Sequence, residues 1–199
     1  LLRMTTYDDF DHSRARDLCH IKIDGKVFPA STTLLSMSTT YFNTMFTDFK
    51  ESETLVCEIG ATENMSAERV LCFLRYIYPK HEPVNAENYE NLLHTGMFFN
   101  AQLLIDDVEE FIIKHCDPSK WLANKKNPKH PFCIPFIKGI ELSHHYHMKK
   151  ALEKMKKNLL TMRLHTFLKN YPEAKVLDDD MRLFIYDTFC NDIMEKQKA

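Results

Sequence analysis

The 199-residue sequence predicts an α+β fold, a small sheet flanked by helices and followed by an all-helical extension. Three observations predict it. Apolar residues alternate with period two around Asp24-Gly25 and again over residues 55–59, the signature of half-buried strands. Between and after these runs the apolar spacing changes to three and four, the period of a helix. Beyond a proline- and lysine-bearing stretch at residues 117–131, no strand pattern returns.

The elements follow in order. Cys19, Ile21 and Ile23 alternate with His20 and Lys22, and Asp24-Gly25 supplies a two-residue hairpin turn into a return strand at residues 26–30. Ser31-Thr32-Thr33 are hydroxyl residues suited to cap a helix carrying Leu34, Leu35 and Met37. Ser38 is expected to cap a second helix with Tyr41, Phe42, Met45 and Phe46 on one broad aromatic stripe, closely followed by Phe49. After Glu51-Ser52-Glu53, a third strand is expected with Leu55, Cys57 and Ile59 inward and Gly60 closing it. Three helices should come next, at residues 66–78 (Val70, Leu71, Leu74, Ile77 inward), 86–99 and 101–116 (Leu104, Val108, Phe111, Ile112 inward), with Pro79 and Pro83 separating the first two. Past the linker, residues 136–147 and 148–160 read as a helical pair, the second with Leu152, Met155 and Leu159 on one face, and residues 163–170 and 181–194 add two more helices. The expected organisation is an N-terminal arm at 1–16, a first domain at 17–118, a linker at 119–131 and a helical domain at 132–199.

The bulk numbers narrow the function. With 26 basic and 28 acidic side chains the formal net charge is -2, which supplies no field toward nucleic acid or an anionic membrane and leaves proteins as the expected partners. No apolar run approaches the roughly 20 residues needed to cross a bilayer, and the first twenty residues hold no apolar signal-peptide core, so an intracellular protein of cytoplasm and/or nucleus is expected. Six scattered cysteines, most on apolar faces, fit a reducing compartment. The chain opens with Leu1 rather than Met, and on that ground it is expected to be a piece of a longer protein.

Chemistry has little to build on. Among His130, Cys133, His144, His145 and His147, only His144 and His147 share an i, i+3 spacing within a predicted helix, and no CxxC accompanies them, so a solvated face is favoured over zinc. Neither Cys116 nor Cys133 has a recognisable His-Asp arrangement, and Gly25, Gly60, Gly96 and Gly139 form no phosphate loop. No catalytic site, cofactor or metal is expected, and the chain is read as a non-enzyme. The lysines at 149, 150, 154, 156 and 157 lie opposite Leu152, Met155 and Leu159, as on an amphipathic helix docked on its neighbours, rather than as a nucleic-acid surface.

The run from Asp17 to Ser31, with Leu34-Leu35, Ser38, Tyr41-Phe42 and Met45-Phe46 in order and spacing, resembles the BTB/POZ (Skp1-like) family. The resemblance continues through the third strand, the helix ending Tyr76-Ile77-Tyr78 and the helix pair to Cys116. From about Phe132 the chain more weakly resembles the helical BACK-type extension, through Ile140-Glu141-Leu142-Ser143 and residues 146–152. The resemblance implies a dimer, homotypic or with another BTB protein, using Leu34, Leu35 and Met37 near the two-fold, and a protein-interaction adaptor for cullin-3 ubiquitin ligases, with a protein substrate held by another surface or domain. Phe49-Lys50-Glu51 resembles the hydrophobic-x-Glu signature by which such adaptors hold the cullin, so Phe49 is expected as the anchor and Glu51 as a hydrogen-bond acceptor. A plain alternative is that Phe49 closes the core. Where many BTB domains place His-Lys, this chain has Ser31-Thr32, which removes the Lys that in repressor-type members forms a charged pocket with an Asp matching Asp17. That departure weakens a corepressor role. The rival functional reading is a non-ligase BTB scaffold or dimerisation module of a larger assembly.

Overall fold

The computed structural model describes residues 17–49, 51–60, 62, 65–78, 82–118 and 134–198, without the side chains of Glu51, Ser52, Lys196 and Lys198. The predicted arm, the whole predicted linker with His130, and Cys133 and Lys50 lie outside these residues. Two compact units are present, one up to Val108 and one from Glu109 onward, the division falling inside a single helix.

The first unit starts with an antiparallel hairpin, β1 (Leu18–Ile23) and β2 (Lys26–Ser31), registered Ile23 to Lys26 and Cys19 to Ala30. Its turn residues Asp24 and Gly25 sit at φ 51° and 70°, the left-handed pair that a twisted two-residue turn demands and that Asp-Gly tolerates. A short third strand, β3 (Val56–Glu58), pairs parallel to β1 and puts β1 in the centre of the sheet. Parallel pairing requires a crossover, supplied here by α1 (Thr32–Ser38), α2 (Thr40–Asp48) and α3 (Glu51–Thr54).

Two details depart from the expectation. Thr39, not Ser38, caps α2: it is the extended residue between the helices, its Oγ1 accepts from the Phe42 N–H, and its own N–H ends α1 on Leu35 O. Residues 51–54 form a helical turn, and Leu55 leaves it at φ 52° with its side chain exposed, so only Cys57 and Ile59 of the expected inward trio enter the core. A left-handed residue is a common way out of a helix, and it costs Leu55 the strand position its alternation suggested.

The core of this unit is closed by α4 (Ala67–Ile77), α5 (Tyr89–Phe99) and the first half of α6 (Gln102–His115). Ser66 caps α4 through Oγ on the Arg69 N–H, and the buried face runs through Ala67, Val70, Phe73 and Leu74, rotated slightly from the expected Leu71 and Ile77, which are half-buried. Ile21, Leu35, Phe42, Phe73, Leu92 and Phe99 meet in the interior with no accessible surface.

The second unit is all helix: the end of α6, then α7 (Phe136–His145), α8 (Lys149–Leu160), α9 (Leu164–Asn170), a 3-10 turn (Pro172–Lys175) and α10 (Asp179–Lys198). Gly139 lies so close to Cys116 that a Cβ there would collide with the sulfur, and this close approach sets the spacing of α7 from the end of α6. Helix α8 begins at Met148 without a side-chain cap of its own and with Lys149 and Lys150 in its first turn. The buried carboxylate of Glu109 supplies what is missing, accepting from the Ala151 N–H at 3.0 Å. Ala151, Met155 and Leu159 face inward, whereas Lys149, Lys150, Lys154 and Lys157 are exposed.

Candidate interaction site

The aromatic stripe of α2 divides between core and surface. Phe42 is fully buried and rests on Phe99, ring centroids 4.8 Å apart, with Phe73 5.1 Å beyond on the far side of Phe99. Tyr41, one residue back and about 100° round the helix, turns outward and lies 5.8 Å from Phe98. Phe49, the extended C-cap residue at φ -120°, is 58% exposed and therefore does not close the core. Tyr41, Phe49 and Phe98 line an open groove of about 530 Å³, completed by Thr40, Thr44, Met45 and Asn100.

The two walls of the groove are tied by a polar latch. Asn100 ends α5 in the left-handed region at φ 51°, a conformation Asn accepts more readily than most residues. Its Nδ2 donates to Thr40 Oγ1 at 2.6 Å, and Thr40 Oγ1 in turn donates to Asn100 O at 3.5 Å. The start of α2 is thus held to the end of α5, which fixes the width of the groove. Such a concave, partly aromatic surface with polar rims has the chemistry of a protein-binding hot spot: rings bury much area while giving up little side-chain entropy.

Phe49 and Glu51 stand on consecutive elements, the end of α2 and the first residue of α3. The Glu51 side chain and Lys50 lie outside the described residues. Phe98 and Asn100 were not expected as part of this surface. The signal for them was the doublet Phe98-Phe99, one aromatic more than a single inward stripe can bury.

Of the other three expected interface residues, the structure separates one from two. Leu34 and Met37, spaced i, i+3, share the outer face of α1, Leu34 half-buried and Met37 78% exposed. Leu35 points the other way and is completely taken up by its own core, so it has no surface to give a partner. Asp17 anchors the start of α1: its carboxylate accepts from Ser31 Oγ at 2.5 Å and from the Thr33 N–H at 3.2 Å, while Ser31 Oγ also caps the Leu34 N–H. Hydrogen bonds from Ser31 and Thr33 hold the Asp17 carboxyl below the usual carboxylate range. Its charge is engaged in helix capping.

Among the described residues no three His, Cys, Asp or Glu side chains are grouped to hold a metal ion, and the His144 ring lies tilted against Phe184, centroids 4.9 Å apart. Also among the described residues, no helix is long and apolar enough to cross a membrane.

The BTB/POZ domain family model matches residues 10–116. Similar curated proteins include Kelch-like protein 24 of Rattus norvegicus, 32% identical over 118 residues, which is 59% of this chain and 19% of that protein. The Homo sapiens Kelch-like protein 24 is 31% identical over the same shares. BTB and MATH domain-containing protein 38 of Caenorhabditis elegans is 30% identical over 88 residues, 44% of this chain and 22% of that protein. The chain thus spans about a fifth of the length of the curated relatives it matches. With the family model covering more than half of its residues, the chain belongs to the BTB/POZ family.

Proposed function

We propose that this chain is a protein-interaction adaptor whose BTB part self-associates and recruits a cullin-3 ubiquitin ligase, a protein substrate being held by another surface or domain. The observation that carries the reading is the exposure of Phe49 on the rim of an apolar groove, directly before the helical turn that begins with Glu51. A cullin helix laid in the groove would bury Phe49, Tyr41, Met45 and Phe98 together, with Glu51 as the proposed hydrogen-bond acceptor for it. Self-association is assigned to the face of α1 that presents Leu34 and Met37, with Leu35 supporting it from the core. In this reading the BTB domain occupies 17–118, residues 119–131 link it to a BACK-like helical domain at 132–199, and the protein acts inside the cell without a cofactor or a reaction of its own.

Calorimetric titration with the N-terminal domain of cullin-3 tests the proposal. Micromolar or tighter binding, lost in Phe49→Ala with Glu51→Ala while the fold and the chain's mass in light scattering persist, is the expected result. A folded chain that does not bind would leave a BTB scaffold without a ligase role.

A further inference from the structure

Helix α10 carries two apolar faces. Met181, Ile185 and Phe189 are buried within the second unit, where α10 packs on α8. Leu183, Tyr186, Ile193 and Met194 are 42% to 59% exposed, and Cys190 is exposed among them. At 100° per residue the two sets centre about 130° apart, so the second is a separate stripe and not the fringe of the first. Its spacing, Leu183, Tyr186, Cys190, Ile193, is three, four, three, the seam of a two-helix coil over a helix of roughly 30 Å.

We propose that this stripe pairs with the same stripe of a second copy of the chain, the two α10 helices running parallel. Charge complementarity selects that occupant and that direction. With Leu183 and Tyr186 at the a and d positions of the seam, Arg182 falls on one flank (g) and Asp187 on the other (e), both exposed. In a parallel pair the g residue of one helix meets the e residue five positions on in the other, so Arg182 of each copy meets Asp187 of its mate, twice per pair. An antiparallel pair sets each flank against its like, and the flank of Arg182 carries no acidic residue in α10. Within its own chain Arg182 already contacts Asp179, and in the pair it bridges the two carboxylates. The contact lies in the second unit and does not rest on the cullin reading or on the α1 face.

Cross-linking reads the register directly. In the full chain carrying Met37→Glu, to remove α1 association, and Cys72→Ser with Cys133→Ser, Cys190 is the one exposed thiol among the described residues. A short bismaleimide is expected to join two chains at Cys190, and equally at position 183 in Leu183→Cys with Cys190→Ser, which a parallel register alone brings together. Leu183→Glu should abolish the product, and Arg182→Asp should weaken association about tenfold by setting like charges opposite at both flanks. Adding Asp187→Arg to Arg182→Asp should restore it, an outcome that no loss of folding can mimic. No product beyond that of the Leu183→Glu chain would overturn the proposal and assign the stripe to a different protein or segment. A product at Cys190 without one at 183, or a charge swap that fails to restore association, would overturn it as well.

Discussion

Helices α2 and α10 both carry more apolar side chains than one face can bury, and they dispose of the excess differently. On α2 the surplus, Tyr41, Met45 and Phe49, gathers beside Phe98 from α5 and becomes one wall of a groove. On α10 the surplus runs along the exposed side of a 20-residue helix at seam spacing, its first part, Leu183 and Tyr186, lying beside Leu168 and Lys175 in an open groove of about 450 Å³. A groove with a polar latch suits an inserted segment of another protein, whereas a stripe that continues along one helix with opposite charges on its flanks suits its own copy. Apolar count alone does not distinguish the two cases. What separates them is whether the surplus is gathered between two elements or continues along one helix, as it does past Tyr186 to Cys190, Ile193 and Met194.

The contrast breaks most sharply at Phe42 and Phe49, seven residues apart. Phe42→Ala empties a site with no accessible surface between Phe46 and Phe99 and is expected to cost about 3–5 kcal/mol, against less than about 1 kcal/mol for Phe49→Ala, by urea denaturation. Equal losses would return Phe49 to the core.

In the helical extension, Gly139→Ala drives a methyl group into Cys116 and should destabilise that unit by about 1–3 kcal/mol. Hydrogen exchange localises the effect, with α7 and α8 amides losing protection before those of β1 and α4. Cys116→Ala in the same chain should recover part of the loss, because it removes the sulfur the new Cβ meets.

Tyr78→Phe removes the hydroxyl that accepts from the buried Ser31 N–H at 2.9 Å and should cost about 1–2 kcal/mol, read as a shift of the denaturation midpoint. The smallest effect concerns Asp17. Its carboxyl is lowered in the folded state, so its stabilising contribution is present above the unfolded carboxylate pKa and is lost as pH falls through the folded value. Asp17→Asn should therefore be less stable than the parent at pH 7, and the gap should shrink as the pH is taken down through the acid range. A gap independent of pH would mean that shape, not charge, accounts for the cap.

Much of this was legible in the residues. Asp24-Gly25 announced the hairpin because few other pairs take two left-handed conformations in succession, and the helices of the extension announced themselves by period alone, α8 through Met155 and Leu159. What stayed hidden depended on distance or on backbone conformation. Leu55 kept the alternation of a strand while its backbone left a helix, and nothing in a leucine marks a positive φ. Leu34 and Leu35 look equivalent in the chain, and only the phase of α1, set by the Ser31 cap, sends one outward and one into the core. The parallel partner of β1 and the Phe98–Asn100 wall of the groove arise from pairings between segments more than thirty residues apart, which local spacing does not encode.

We propose the α2 groove as a cullin-binding surface with Phe49 as its anchor. Titration of the chain with the N-terminal domain of cullin-3, alongside Phe49→Ala and the half-buried control Leu71→Ala, which does not line the groove, tests it most directly. The account predicts binding that Phe49→Ala weakens at least about tenfold and Leu71→Ala leaves unchanged. Equal affinity for the parent and Phe49→Ala, or no binding by a folded parent, would contradict it.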